Sequence, residues 1–288
     1  MSAVALRGLT NERSEFLITT LPVTDLNASA GSGTVFVPDY ADGGGWQTQV
    51  VLVNPSDTPL SGSIRFRDSS GNPAGTTLTY SLAARSSQAI ATAGTAASTV
   101  SGSVSIAPDG NAMSPSGLAI LTFRRDGKTV AAAGIPFQPS GSAFRIYAEA
   151  SGTLFSPGFI QTGVALMNNS AASVSATLEL NRLDGSSTGL TGTLSVPANG
   201  QVSAFLTQIP GFSSLPVPFQ GVLRVSTSTA ISVTGLRGRY NERTDFLFTS
   251  TPAVNEAMPS IQGGCDEHGP SYYNPTAEIL RACRPENT

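Results

Sequence analysis

Leu6-Arg7-Gly8-x-x-Asn11-Glu12-Arg13-x-x-Phe16-Leu17-x-Thr19-x-x-Pro22 returns 230 residues later as Leu236-Arg237-Gly238-x-x-Asn241-Glu242-Arg243-x-x-Phe246-Leu247-x-Thr249-x-x-Pro252. Ten of the seventeen positions are identical. A third, weaker copy runs from Ala119 to Pro136, with Arg124-Arg125-Asp126-Gly127-Lys128 where the outer copies carry Asn-Glu-Arg. The closing prolines Pro22, Pro136 and Pro252 are spaced by 114 and 116 residues. A second pair of strings, Gln47 to Ser56 and Gln161 to Ser170, keeps the offset of 114. A period near 115 exceeds the ~20–50 residues of a solenoid turn and suits one independent domain per repeat. The first string lies at the very start of the chain, so the polypeptide reads as opening on the last two strands of a unit.

Between these strings the pattern is that of strands. Ile64 and Phe66 alternate with Arg65 and Arg67, and Leu178 and Leu180 alternate with Glu179 and Asn181. A period of two puts apolar side chains on one face of a sheet and polar ones on the other. Turn residues follow at Asp68 to Pro73 and at Asp184 to Ser187, and Asn199-Gly200 predicts a tight connection. Val222, Leu223 and Val225, then Ile231 and Val233, predict a pair of strands broken at Ser226 to Thr229. The expected fold is all-β: two tandem Ig-like antiparallel sandwiches over residues 31–140 and 141–258. An orphan hairpin of an incomplete repeat (1–25) precedes them, and an irregular tail (259–288) follows.

Composition narrows the function. Charged residues make up 12% of the chain, about half the usual share for soluble domains, while 30 Gly and 19 Pro punctuate its length. A net charge of −3 offers no electrostatic reason to expect nucleic acid or an anionic membrane surface. No apolar run approaches the ~18 residues of a membrane span. Met1 to Leu6 meets Arg7 without the apolar stretch of a signal peptide, so the biological start is expected to lie upstream. Cys265 and Cys283 both fall in the tail, where a disulfide would staple the tail alone.

The Leu236-to-Pro252 ending, the Gly43-to-Pro55 opening and the Val196-to-Val202 turn resemble a tandem β-sandwich repeat of large secreted proteins of soil-type bacteria. The resemblance covers roughly residues 4–257 and leaves out the tail. It implies an extracellular or cell-surface, modular, Ig-like architecture and carries no enzymatic activity with it.

Candidate chemistry is sparse. Gly185-Ser186-Ser187-Thr188-Gly189 has the form of a nucleophile elbow, but no helical pattern follows it and the chain's one histidine, His268, lies in the tail. Cys265-Asp266-Glu267-His268 with Cys283 matches no usual zinc spacing. Asp39 and Asp42 before Gly43-Gly44-Gly45 offer two carboxylates to calcium, fewer than such sites use. Trp46 and Tyr40 offer an aromatic platform for sugar rings, against the alternative that Trp46 covers the end of the core. The Asn-Glu-Arg triplets belong at hairpin tips, because Asn tolerates positive φ and can bond its side chain to the local backbone, with Arg7 and Arg237 pairing with Glu12, Glu15, Glu242 or Asp245 across the hairpins.

The expected role is therefore a non-catalytic, extracellular structural or adhesive module: a spacer or surface-binding segment of a larger repeat protein, with no cofactor. One alternative is a carbohydrate- or polymer-binding module. Another is assembly by strand complementation through residues 4–22. There Leu6, Phe16, Leu17 and Ile18 belong to a hairpin too small to be stable alone, which would seek a sheet edge of the next domain or of another chain.

Overall fold

The computed structural model describes residues 5–21, 23, 31–256, 265–266 and 269–270. Among the described residues the chain is all-β, with antiparallel strands, one 3-10 turn at Leu206–Gln208 and no α-helix. No helix among them is long and apolar enough to cross a membrane. The first two strands are β1 (Ala5–Thr10) and β2 (Phe16–Leu21). They are followed by β3 (Val35–Asp42), β4 (Trp46–Val53), β5 (Leu60–Asp68), β6 (Leu78–Leu82), β7 (Ser87–Ala91), β8 (Val100–Pro108), β9 (Ser116–Arg125) and β10 (Lys128–Pro136). Next come β11 (Gly141–Ser151), β12 (Ile160–Met167), β13 (Val174–Arg182), β14 (Ser187–Val196), β15 (Gln201–Phe205), β16 (Phe219–Tyr240), β17 (Phe246–Thr251) and β18 (Ala253–Asn255). Two short strands, β19 (Cys265–Asp266) and β20 (Gly269–Pro270), pair with each other.

Strands β3 to β10 form two four-stranded sheets, ordered β3-β8-β5-β6 and β10-β9-β4-β7. The alternation at Ile64 and Phe66 points inward as the period of two requires. Both pack with Val37, Val50, Leu52, Val104, Ile106, Leu121 and Ile135 between the sheets. Strands β11 to β17 repeat this plan. The β14-β13-β16-β11 and β17-β16-β12-β15 neighbours enclose a second core around Phe144, Ile146, Leu166, Leu178, Leu180, Leu223 and Val233. In the second unit the two sheets are joined through one strand. The first half of β16 pairs β11 and β13, and the second half pairs β12 and β17. The break expected at Ser226–Thr229 is thus a place where an unbroken strand changes sheets. In the first unit a loop at residues 109–115 separates β8 from β9 at the same point.

The β14–β15 connection turns at Asn199 with φ of 54°, as its Asn-Gly step predicts. The segment between the units is held against the first one. Phe36 and Gln138 exchange both backbone hydrogen bonds, at 3.2 and 2.8 Å. That leaves little slack between the two cores.

The hairpin β1–β2 forms a two-stranded sheet of its own and joins no other ladder. It lies against β10 instead. A Cβ added at Gly134 would come within 2.7 Å of the Thr20 carbonyl oxygen, so the close approach demands glycine there.

Candidate functional site

The three copies of the opening string form the hairpins β1–β2, β9–β10 and β16–β17, and their tips meet. At each outer tip the asparagine organises the turn. Asn11 Oδ1 accepts the backbone N–H groups of Arg13 and Glu15 at 2.9 Å each, and Asn241 Oδ1 accepts those of Arg243 and Asp245 at 2.9 Å each. This is the side-chain mimicry of a turn that suits Asn. Positive φ, which Asn tolerates, falls instead on Ser14 (59°) and Thr244 (61°), three residues on.

Charge pairs then join the tips. Arg13 Nη2 donates to Asp245 at 2.6 Å, Arg124 to Glu12 at 3.0 Å, and Arg243 to Glu15. Glu12 also accepts the Thr129 backbone N–H, the chief reason its carboxyl is held below the usual carboxylate range. The partners expected for Arg237 are not the ones it takes. It pairs with Glu149 on β11, because its side chain points away from the tips.

Tip-to-tip contacts recur one unit on with the acceptor shifted by one residue. Asn11 Nδ2 donates to the Thr129 carbonyl at 2.8 Å, and Arg125, its counterpart 114 residues later, donates to the Thr244 carbonyl at 3.1 Å. Ser250 Oγ donates to the Gly134 carbonyl at 2.5 Å, just as the missing side chain of Gly134 points at the Thr20 carbonyl. Thr19 Oγ1 accepts the Gly134 N–H at 3.1 Å. Both backbone groups of Gly134 on the edge of β10 are therefore taken by hydroxyl side chains from the flanking hairpins, which hinders pairing with a foreign strand there. Each hairpin sits on its predecessor in the same way.

Asn11 is the least replaceable tip residue. Asn11→Ala strands two backbone N–H groups and the Thr129 carbonyl in a part-buried place, at a cost of about 1–3 kcal/mol by chemical denaturation. Asn241→Ala, whose bonds stay within its own turn, should cost less.

A cavity of about 230 Å³ lies where the second unit meets the first. Trp46 and Leu121 line one side and Phe205, Leu236, Phe246 and Phe248 the other. Trp46 stacks on Phe123 with ring centres 4.7 Å apart and receives the edge of Phe248 at 5.7 Å. Asp39 stands at the cavity wall. It lies with Pro38 where the β3–β8 register shifts between Val37 and Tyr40, and it accepts Gln201 Nε2 at 3.1 Å and Ser203 Oγ at 3.3 Å from β15. Burial pushes its carboxyl up to about 7, and the Ser203 hydroxyl only partly offsets this.

No family model, curated protein or solved structure matches this chain. The junction is therefore read from its own geometry.

That geometry removes two expected sites. Tyr40 is 2% exposed and packs edge-on against Phe66 in the first core, while Trp46 is covered by Phe123 and Phe248. The pair forms no open platform for a sugar. Asp39 and Asp42 do not converge on a calcium site either, because Asp39 faces β15 and Asp42 accepts the Gly94 N–H at 2.7 Å. No cluster of three or more metal-ligating side chains occurs among the described residues. Gly185 and Ser186 end a turn and Ser187 to Gly189 begin β14, with no helix behind them. Cys283, His268 and the side chain of Cys265 lie outside the described residues.

Sequence reasoning missed Asp39–Gln201 and Arg237–Glu149, whose partners are 162 and 88 positions apart. No sequence signal pointed to the second, because the offset of 114 aligns Ala41 with Phe155 and only the hydrogen bonds correct it. Thr48 Oγ1 accepts the Ala41 N–H and Thr162 Oγ1 the Glu149 N–H, which makes residues 41 and 149 equivalent. The registers make Leu121 and Arg237 equivalent as well. The pair Ala41 and Leu121 is thus replaced in the second unit by a pair of opposite charges.

Proposed function

We propose that the protein is a non-catalytic, extracellular structural module whose repeats stack through their closing hairpins into a stiff spacer or surface-binding segment. The observation that carries this reading is that the third hairpin packs on the second at the register position where the second packs on the first, Ser250 against the Gly134 carbonyl and Gly134 against the Thr20 carbonyl. Stacking of that kind transmits orientation from repeat to repeat, as a spacer requires. The pinned Gln138 segment and the shared aromatic junction support stiffness in the same direction.

The test combines location with shape. Antibody labelling and protease shaving of intact cells should find the chain at the surface. Small-angle X-ray scattering should return one rigid profile that does not change with salt. Confinement to the cytosol, or a profile of two freely jointed bodies, overturns the reading. A carbohydrate-binding role now draws on Phe155, 68% exposed with its ring 5.5 Å from Tyr240, in place of Tyr40 and Trp46. Retention on a glycan panel that disappears in Phe155→Ala would favour that second reading.

A further inference from the structure

The three hairpins present the same outer face to three different surroundings. Registers place Leu6, Ile120 and Leu236 at one position of that face, each opposite Thr20, Gly134 or Ser250. Leu236 is 4% exposed and lies against the first unit with Phe246 and Phe248. Ile120 is 8% exposed and its hairpin lies under β1–β2. Leu6 is 59% exposed, and its face-mates Phe16 and Ile18 are 67% and 56% exposed. Phe16 nonetheless takes the same pose as Phe246. Its ring lies over Gly8, where an added Cβ would be 2.6 Å away, as the ring of Phe246 lies over Gly238 at 2.8 Å. The face is built to the pattern of one that is buried elsewhere in the same chain.

We propose that the outer face of β1–β2 is a docking surface for another sandwich of this repeat type, one that offers apolar side chains where the first unit has Ala41, Trp46 and Leu121. The occupant follows from the internal template: Leu236, Phe246 and Phe248, at the positions of Leu6, Phe16 and Ile18, are seated against that surface of the first unit. The second unit is not such an acceptor. Glu149 and Arg237 stand at the positions of Ala41 and Leu121, and Ile160 and Arg239 at those of Trp46 and Phe123. Covering that ion pair with an apolar face would take charge out of water without new partners. Among the described residues the first hairpin thus carries a sticky face and the second unit a charged one. This polarity keeps copies from stacking head to tail on one another while leaving the first hairpin open to a repeat that lacks the ion pair.

The experiment converts the charged face into an acceptor in the full chain. Wild type should be a monomer by multi-angle light scattering up to high micromolar concentration. Glu149→Ala/Arg237→Leu should form head-to-tail oligomers whose mass rises with concentration. Adding Leu6→Lys and Phe16→Glu should return the quadruple variant to monomer. Circular dichroism confirms the fold at each step, and Glu149→Gln/Arg237→Leu removes the same ion pair with a smaller change of shape should the first pair not fold. A folded variant without the ion pair that stays monomeric overturns the proposal, as does association that survives the hairpin substitutions. The proposal rests on reading the chain as a stacked-repeat module. Failure of that reading would appear as a cytosolic or freely jointed protein, whereas failure of docking alone would leave a rigid surface monomer.

Discussion

Asp39→Asn should stabilise the protein at pH 8 and leave its stability almost unchanged at pH 4. The reason is the cost of keeping a carboxylate between two packed units. In the unfolded chain the group titrates near 3.8, and in the folded chain burial raises it to about 7. Between those values the folded state holds a proton that the unfolded state has released, so unfolding releases a proton and stability falls as pH rises. The loss is complete above about pH 8. Its upper bound, from the gap between the two values, is about 4 kcal/mol. Asparagine keeps an oxygen for Gln201 and Ser203 and carries no charge, so the variant's stability should not follow this slope. Urea titrations at pH 4, 6 and 8 give the comparison. Parallel pH dependence in the two proteins would show that Asp39 does not sense the junction. Because Gln201 and Ser203 belong to the second unit, alkaline pH should also weaken the coupling of the units before it unfolds either.

Trp46→Ala should be the most damaging single truncation at the junction, costing about 2–4 kcal/mol. The indole is only partly buried, which places the loss below that of a fully enclosed Trp. It does join three parts: its own strand β4, Phe123 of β9 and Phe248 of the next unit. Removing it opens the 230 Å³ cavity further and strips the partner from Phe248. Thermal denaturation followed by circular dichroism should show the lower midpoint. Trp46 is the chain's single tryptophan, so wild-type fluorescence reports the junction directly. Phe248→Ala should shift that emission to the red by letting water reach the ring. Unchanged emission in Phe248→Ala would mean that the two units are not in contact in solution.

Much of the fold was legible because its signals are local or periodic. Alternation at Ile64–Arg67 and Leu178–Asn181 gave strands, Asn199-Gly200 gave a turn, and the string shared by residues 6–22, 120–136 and 236–252 gave a hairpin used three times. One local reading went astray. A Ser/Thr run at 226–229 has no composition that separates a break from a strand crossing between sheets, since both expose the segment. At the hairpin tips Asn offers both tolerance of positive φ and a side chain that bonds nearby backbone; Asn11 and Asn241 use the second, and positive φ falls on Ser14 and Thr244.

The site was far less legible. Tyr40 and Trp46 are near neighbours in sequence and look like a pair, but they lie on β3 and β4 in different sheets, where Tyr40 packs in the first core against Phe66 and Trp46 packs between Phe123 and Phe248. Asp39 gained its partners only when β15 was laid against β3, a contact across 162 residues. By itself the sequence determined the period, the strand-rich units and the identity of the three hairpins, because those depend on residue type and spacing along one segment. Tertiary structure alone decided which hairpin faces are buried. Burial depends on what another unit brings to the same place: Leu236 meets the apolar surface around Ala41 and Leu121, and Leu6, its equal in sequence, meets water.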